Sequence, residues 1–275
     1  MILESPLPRY VLYFIVLSSG AMGCQPSSAP SHELHNTASS MADTTRAGSN
    51  GSESSSSEVL NPVLDLLVQT IAHDTSLVTQ ERKSELNALA QWAADRLAQG
   101  DQAPMVFICT HNSRRSHMAQ VWAAAAAARV GLHGQIPTFS GGTESTACNP
   151  RTVGALERAG FGIDTVVPSL SGSSENPTYA ITCGDTVPAS ICFSKTYSDP
   201  ANPSTGFAAV MTCSDADRGC PLVYGADARF AVPYVDPKVS DNTAEEAATY
   251  DARCRQIGTE MVYLMDQVHQ RLESH

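Results

Sequence analysis

From Cys109 to Ser116 the chain reads Cys-Thr-His-Asn-Ser-Arg-Arg-Ser, a thiol and the Arg115 guanidinium with five residues between them. That spacing suits a nucleophile facing a tetrahedral oxyanion. Such a sulfur must be ionised, and it must sit where negative charge is already compensated. If a strand ends at the cysteine and a helix begins at the arginine, the backbone N–H groups of Thr110, His111, Asn112, Ser113, Arg114 and Arg115 form an anion cradle, and the helix dipole favours thiolate over thiol. Arg115 can then grip two anion oxygens as a bidentate fork, a geometry lysine does not reproduce. Ser116 is placed to donate a hydrogen bond to the sulfur, Asn112 to brace the loop, and Arg114 to enlarge the positive field. The competing reading is a buried structural cysteine. The apolar run Met105–Ile108 before it and the Ser and helical pattern after it argue for the nucleophile.

The surrounding pattern supplies the elements this loop needs. Met105-Val-Phe-Ile108 predicts a buried strand and Ser116 to about Arg129 an Ala-rich helix, so strand, loop and helix open an α/β unit. Thr138–Ser140, Phe207–Met211 and Phe230–Val235 are further strand candidates. Asn149-Pro150 should start a helix closed by Gly160. Thr243 and Glu246 resemble a capping box for a last helix with Tyr250, Cys254, Ile257, Met261, Leu264 and Val268 along its apolar stripe. Upstream, Leu60, Val63, Leu64, Leu67 and Ile71 fall at helical spacing. A second helix should run from Thr79 as N-cap through Leu86, Leu89, Ala93 and Leu97 to Gly100. Neither of these two helices offers an obvious chemical group, so 59–100 is expected to be a packing prefix. The stretch from about 169 to 206 is rich in Pro, Ser, Thr and Asn without periodicity and is expected to be an insertion beside the sheet.

The chain has 275 residues with 42% apolar content, enough for one catalytic domain over 105–275 plus accessories. Its net charge of −11 lacks the basic footprint of a nucleic-acid binder. The eight cysteines are dispersed, which disfavours a disulfide scaffold. Residues 1–24 are shaped like a secretion leader: Arg9, an apolar run Val11–Leu17 too short to span a bilayer, then small residues before Cys24, a candidate lipidated anchor. Membrane-anchored or periplasmic placement is therefore expected over cytoplasmic. Residues 25–58 are Ser-rich with almost no large apolar side chains, a composition that predicts a disordered tether.

The stretch Val106-Phe-Ile-Cys109-Thr-His-Asn-Ser-Arg-Arg115-Ser-His-Met-Ala resembles the low-molecular-weight protein tyrosine phosphatase superfamily and, within it, the thioredoxin-coupled arsenate reductases. Supporting stretches are Phe139-Ser-Gly-Gly-Thr-Glu144 with Asn149-Pro150, Met211-Thr-Cys213-Ser-Asp-Ala-Asp217-Arg-Gly-Cys220-Pro221 and Tyr234-Val-Asp236-Pro237. The resemblance implies an α/β three-layer sandwich, a small parallel four-stranded sheet flanked by helices, here with the N-terminal helical prefix. It implies Asp236, before Pro237, as the proton donor to the leaving group; an Asp facing a bound anion and a thiolate is driven toward the protonated form such a donor needs. It also implies that Cys213 and Cys220 relay oxidation by thiol exchange across the turn-forming Ser214–Gly219, with a thioredoxin-type dithiol as reductant. Structural thiols, a permanent disulfide or a zinc site are the alternatives for that pair. The chain departs from the reductases at His111 and Arg114, which stand where Gly and Cys are usual, and at Gln120, which replaces a Glu of a potassium site near Asn112 and Ser140. No metal and no organic cofactor are expected. Cys148, Cys183, Cys192 and Cys254 receive no role.

Three functions fit these residues. Arsenate reduction is favoured by the distal cysteine pair, and by Lys238-Val239-Ser240 where a phosphatase would carry a tyrosine to grip a phenyl ring. Phosphomonoester hydrolysis through a phosphocysteine is the alternative. A non-catalytic phosphate or phosphopeptide binder is the third.

Overall fold

The computed structural model describes residues 59–166 and 175–274; the expected leader with Cys24, the tether and the beginning of the insertion lie outside the described residues. In chain order the elements are α1 (Pro62–Asp74), α2 (Gln80–Ala98), β1 (Met105–Cys109), α3 (Arg115–Arg129), β2 (Thr138–Gly142), α4 (Pro150–Arg158), β3 (Gly162–Val166), β4 (Thr178–Thr182), β5 (Ser190–Cys192), β6 (Phe207–Met211), α5 (Ser214–Gly219), β7 (Ala226–Ala231) and α6 (Glu246–Glu273).

The central sheet has the order β2-β1-β6-β7 with all neighbours parallel, as expected. Every residue of β1 and β6 is buried, because helices cover both faces of a parallel sheet. Side chains alternate between the two layers: Met105, Phe107, Ala208 and Val210 enter the cluster shared with α3 and α6, while Val106, Ile108, Phe207, Ala209 and Met211 enter a smaller one closed by Ala216 of α5 and Val223. The fold is thus an α/β three-layer sandwich.

Several elements differ from expectation. The fourth strand is Ala226–Ala231, earlier than Phe230–Val235, because Gly225 at φ 85° turns the chain into an edge strand whose polar Asp227 and Arg229 mask the pattern, and Pro233 interrupts its far end. The insertion carries strands of its own: β4 pairs antiparallel with β3 on one side and with β5 on the other, forming a second, three-stranded sheet. The capping box at α6 is displaced. Thr243 accepts from the Glu245 N–H, and the Glu246 carboxylate accepts from Asn242 N and pairs with Arg151. In α1, Val63 faces solvent, whereas Leu64, Val68 and Ile71 form the buried stripe behind the Asn61 cap. The caps of α2 at Thr79 and of α4 at Asn149 are as expected.

Both prefix helices pack on α6, whose expected apolar stripe is buried throughout. α3 crosses α6 where Gly258 meets the Trp122 ring; a Cβ there would lie 2.8 Å from the indole. Gly258→Val should therefore destabilise the fold by about 1–3 kcal/mol through overpacking, measured by urea denaturation. An unchanged midpoint would mean that the α3–α6 contact yields easily.

Candidate active site

Cys109 is the last residue of β1 and Arg115 the first of α3, so the strand-to-helix junction falls where the chemistry requires it. Asn112 adopts φ 43°, a left-handed conformation that Asn tolerates better than most side chains, and it is fully buried. Its amide Nδ2 donates to Ser116 Oγ at 2.9 Å, which leaves the Ser116 proton to go to the Cys109 sulfur at 3.1 Å. Its Oδ1 accepts the backbone N–H of Lys195 at 2.9 Å. Among the described residues, none of the backbone N–H groups from His111 to Ser116 is given to another protein group. They remain available to an anion.

Arg115 is buried, and its Nη2 donates to Asp236 Oδ2 at 2.7 Å while Nη1 donates to the Tyr234 carbonyl at 3.0 Å. The carboxylate and guanidinium are thus brought together, with Asp236 also accepting from Lys238 N at the start of the 3-10 turn Pro237–Ser240. Around them a cavity is lined by Thr110, His111, Arg115, Tyr234, Asp236 and Lys238, among others. Ser113 is buried, and its carbonyl accepts from Asn149 N and the Thr152 hydroxyl, anchoring the loop to α4. His111 pairs with Glu144 at the rim.

The Arg114 guanidinium stands beside the cradle, with Nε 3.9 Å from Asp236 Oδ1. It donates to the hydroxyl of Tyr250, buried on α6, at 2.7 Å and pairs with Asp241 in the segment before that helix. Burial first, then donation to Asp241, pushes the Tyr250 phenol up to about 12, so it remains a neutral donor.

Cys213 is fully buried in the same cluster as Cys109, and its sulfur lies 3.4 Å from the Thr110 hydroxyl. It caps α5, accepting from Ala216 N. Cys220 sits partly exposed at the other end of α5. Ser214–Gly219, expected as a flexible turn, is a short helix: the Cys213 sulfur accepts the Ala216 N–H, the acidic first turn suits the helix dipole, and Arg229 binds the Asp217 and Cys220 carbonyls at its far end. Burial pushes the Cys183 thiol up to about 11 and those of Cys192 and Cys254 up to about 12, keeping all three protonated.

Several positioning residues were invisible in the sequence. Ser194 donates to the His111 carbonyl, the Lys195 carbonyl accepts Gly142 N, and Asn202 donates to the Ser140 carbonyl, so the insertion clamps the nucleophile loop and β2. Arg82 of α2 donates to the Pro233 carbonyl, stacks on the Tyr234 ring and pairs with Glu260. The prefix thus props the segment that presents Asp236. No sequence signal marked these residues, since each acts through a backbone group far along the chain. Near the loop, Asn112 Oδ1 accepts from Lys195 N, Ser140 Oγ lies against His117 Nδ1, and position 120 carries Gln in place of a carboxylate. Among the described residues no cluster of metal-ligating side chains occurs.

A parallel four-stranded sheet carrying a Cys-x5-Arg-Ser loop at the end of its first strand, with an Asp against the arginine, defines a cysteine-dependent oxyanion enzyme. Residues 104–182 match the family model described as low molecular weight phosphotyrosine protein phosphatase, so in this part the chain is similar to a superfamily that includes phosphatases and arsenate reductases. Arsenate reductase 2 of Staphylococcus haemolyticus is 27% identical over 123 residues, covering 45% of this chain and 70% of the relative. An arsenate reductase of Staphylococcus epidermidis matches to the same extent. The solved low molecular weight protein tyrosine phosphatase of T. tengcongensis is 16% identical, with a TM-score of 0.40, over 62% of this chain and 100% of its own.

His117, one residue beyond Ser116, is fully buried beside Ser140 Oγ at 3.1 Å, and its Nε2 has no described partner. Burial first, then the Lys195 ammonium, pushes it down to about 3. An unfolded histidine binds its proton near about 6.5, so this group's contribution is complete above that pH and is lost progressively as pH falls toward about 3. Stability should therefore decline with a slope of up to about 1.4 kcal/mol per pH unit below about 6.5. His117→Asn should flatten that slope in denaturation series between neutral and mildly acid pH; parallel slopes would contradict it.

Proposed function

We propose that this chain reduces arsenate by a thiol relay through Cys109, Cys213 and Cys220. The observation that carries the proposal is Cys213, whose sulfur touches Thr110, the neighbour of the nucleophile, inside the cluster that also holds Cys109. The arsenate reductases of Staphylococcus similar to this chain point the same way.

In this scheme the loop amides and Arg115 hold arsenate, and the Cys109 thiolate attacks arsenic while Asp236 protonates the departing oxygen. Proton donation requires Asp236 to leave its ion pair with Arg115, and arriving anion oxygens compete for that guanidinium. The Cys213 thiolate then attacks the Cys109 sulfur: an S–S bond forms, the S–As bond breaks, and its electron pair reduces arsenic from the pentavalent to the trivalent state. The Cys220 thiolate next attacks the Cys213 sulfur, releasing Cys109 as thiolate and leaving a Cys213–Cys220 disulfide. An external thioredoxin-type dithiol reduces that disulfide by exchange.

The relay places a demand on α5. Cys213 and Cys220 flank its whole length, so at about 1.5 Å rise per residue their Cα atoms stand roughly 10 Å apart, beyond the roughly 7 Å limit for a disulfide. α5 must unwind for the second exchange. Six residues of helix are too few to persist without tertiary support, and the Arg229 contacts at the C-terminal end are what unwinding must release.

Phosphomonoester hydrolysis is the second reading, favoured by the Asp236–Arg115 arrangement, which serves phosphate as well as arsenate. The exposed Val239 beyond Pro237 offers no aromatic grip for a phenyl ring. Cys220→Ser should abolish thioredoxin-coupled arsenate turnover, a loss of at least about a hundredfold, and leave p-nitrophenyl phosphate hydrolysis within about twofold. Undiminished arsenate turnover in this variant would eliminate the relay.

A further inference from the structure

A second cavity, of about 620 Å³, lies between α3, β2 and the insertion, and it shares no lining residue with the cavity at the nucleophile loop. Its walls are largely apolar, with Ala124, Phe139, Ile191 and Phe193 among them, and Gln120 and Lys195 supply polar groups. Lys195 is 4% exposed, and its Nζ stands 4.5 Å from the Phe193 ring centroid. Among the described residues no carboxylate forms an ion pair with it, and Nζ makes no hydrogen bond. A buried ammonium without a counter-charge is unfavourable, and an anion arriving beside it offsets the loss of water. Burial lowers the Lys195 pKa, against the opposite influence of Cys192, Asp199 and Cys148.

We infer that this cavity is a binding site for an organic acid, a carboxylate on an aromatic or branched apolar body, with the Lys195 ammonium as its counter-ion. The volume is that of a small-molecule site. The apolar walls favour such an acid over inorganic phosphate, whose hydration they cannot replace. The inference does not depend on which oxyanion Cys109 attacks.

The full chain should be titrated by calorimetry with naphthalene-2-carboxylate and with its neutral analogue naphthalene-2-carboxamide. The acid should bind with one-to-one stoichiometry and at least about tenfold more tightly than the amide, and saturating inorganic phosphate should not displace it. Lys195→Met should remove the preference for the acid, and Ala124→Phe, which fills the cavity, should abolish binding of both compounds. Equal affinity for acid and amide, an unchanged preference in folded Lys195→Met, or no binding of the acid would overturn the site. Displacement by phosphate would also overturn it, by placing the acid on the nucleophile loop.

Discussion

The site depends on one buried amide. Asn112 holds a left-handed turn in place with its two side-chain ends, one directed to Ser116 and thence to the sulfur, the other to the backbone of a distant segment. Hydrogen bonds in a water-poor setting are strong and costly to leave unmade, so this side chain links the nucleophile's geometry to the packing of the insertion. A shift of Lys195 would be felt at Cys109 through three consecutive contacts.

Around that turn the architecture divides its labour. The parallel sheet supplies rigidity and the strand end; α3 supplies the dipole and Arg115; the chain beyond β7 brings Asp236 to the guanidinium; and α5 holds a thiol at each end. The central strands β1 and β6 are buried throughout, whereas α5 is short and tied at its far end mainly by Arg229. Stability is distributed so that the helix a relay must open is among the weaker elements.

How much was legible follows from how each feature is encoded. β1, the nucleophile loop, α3 and the apolar stripe of α6 are written in local pattern, and the structure places them where that pattern indicates. Asp236 and Cys213 were legible through the resemblance of short motifs, and their approach to the loop is a tertiary fact. β4, β5 and the start of β7 escaped because they are short, half-polar and bounded by Pro and Gly, which carries little periodic signal. The roles of Lys195, Ser194 and Arg82 escaped for a different reason. Each works through a main-chain atom, its own or its partner's, across dozens of residues or more, and residue type alone does not encode such a pairing.

The helical prefix alters how the catalytic unit should be delimited. The family match begins at residue 104, after α2, yet α1 and α2 pack along α6, and Arg82 steadies the strand exit leading to Asp236. A protein begun at residue 104 would present a greasy seam along α6 and a slack acid loop, so it would self-associate and work poorly at once. The extra helices are thus part of the packing of α6 rather than a handle attached to it.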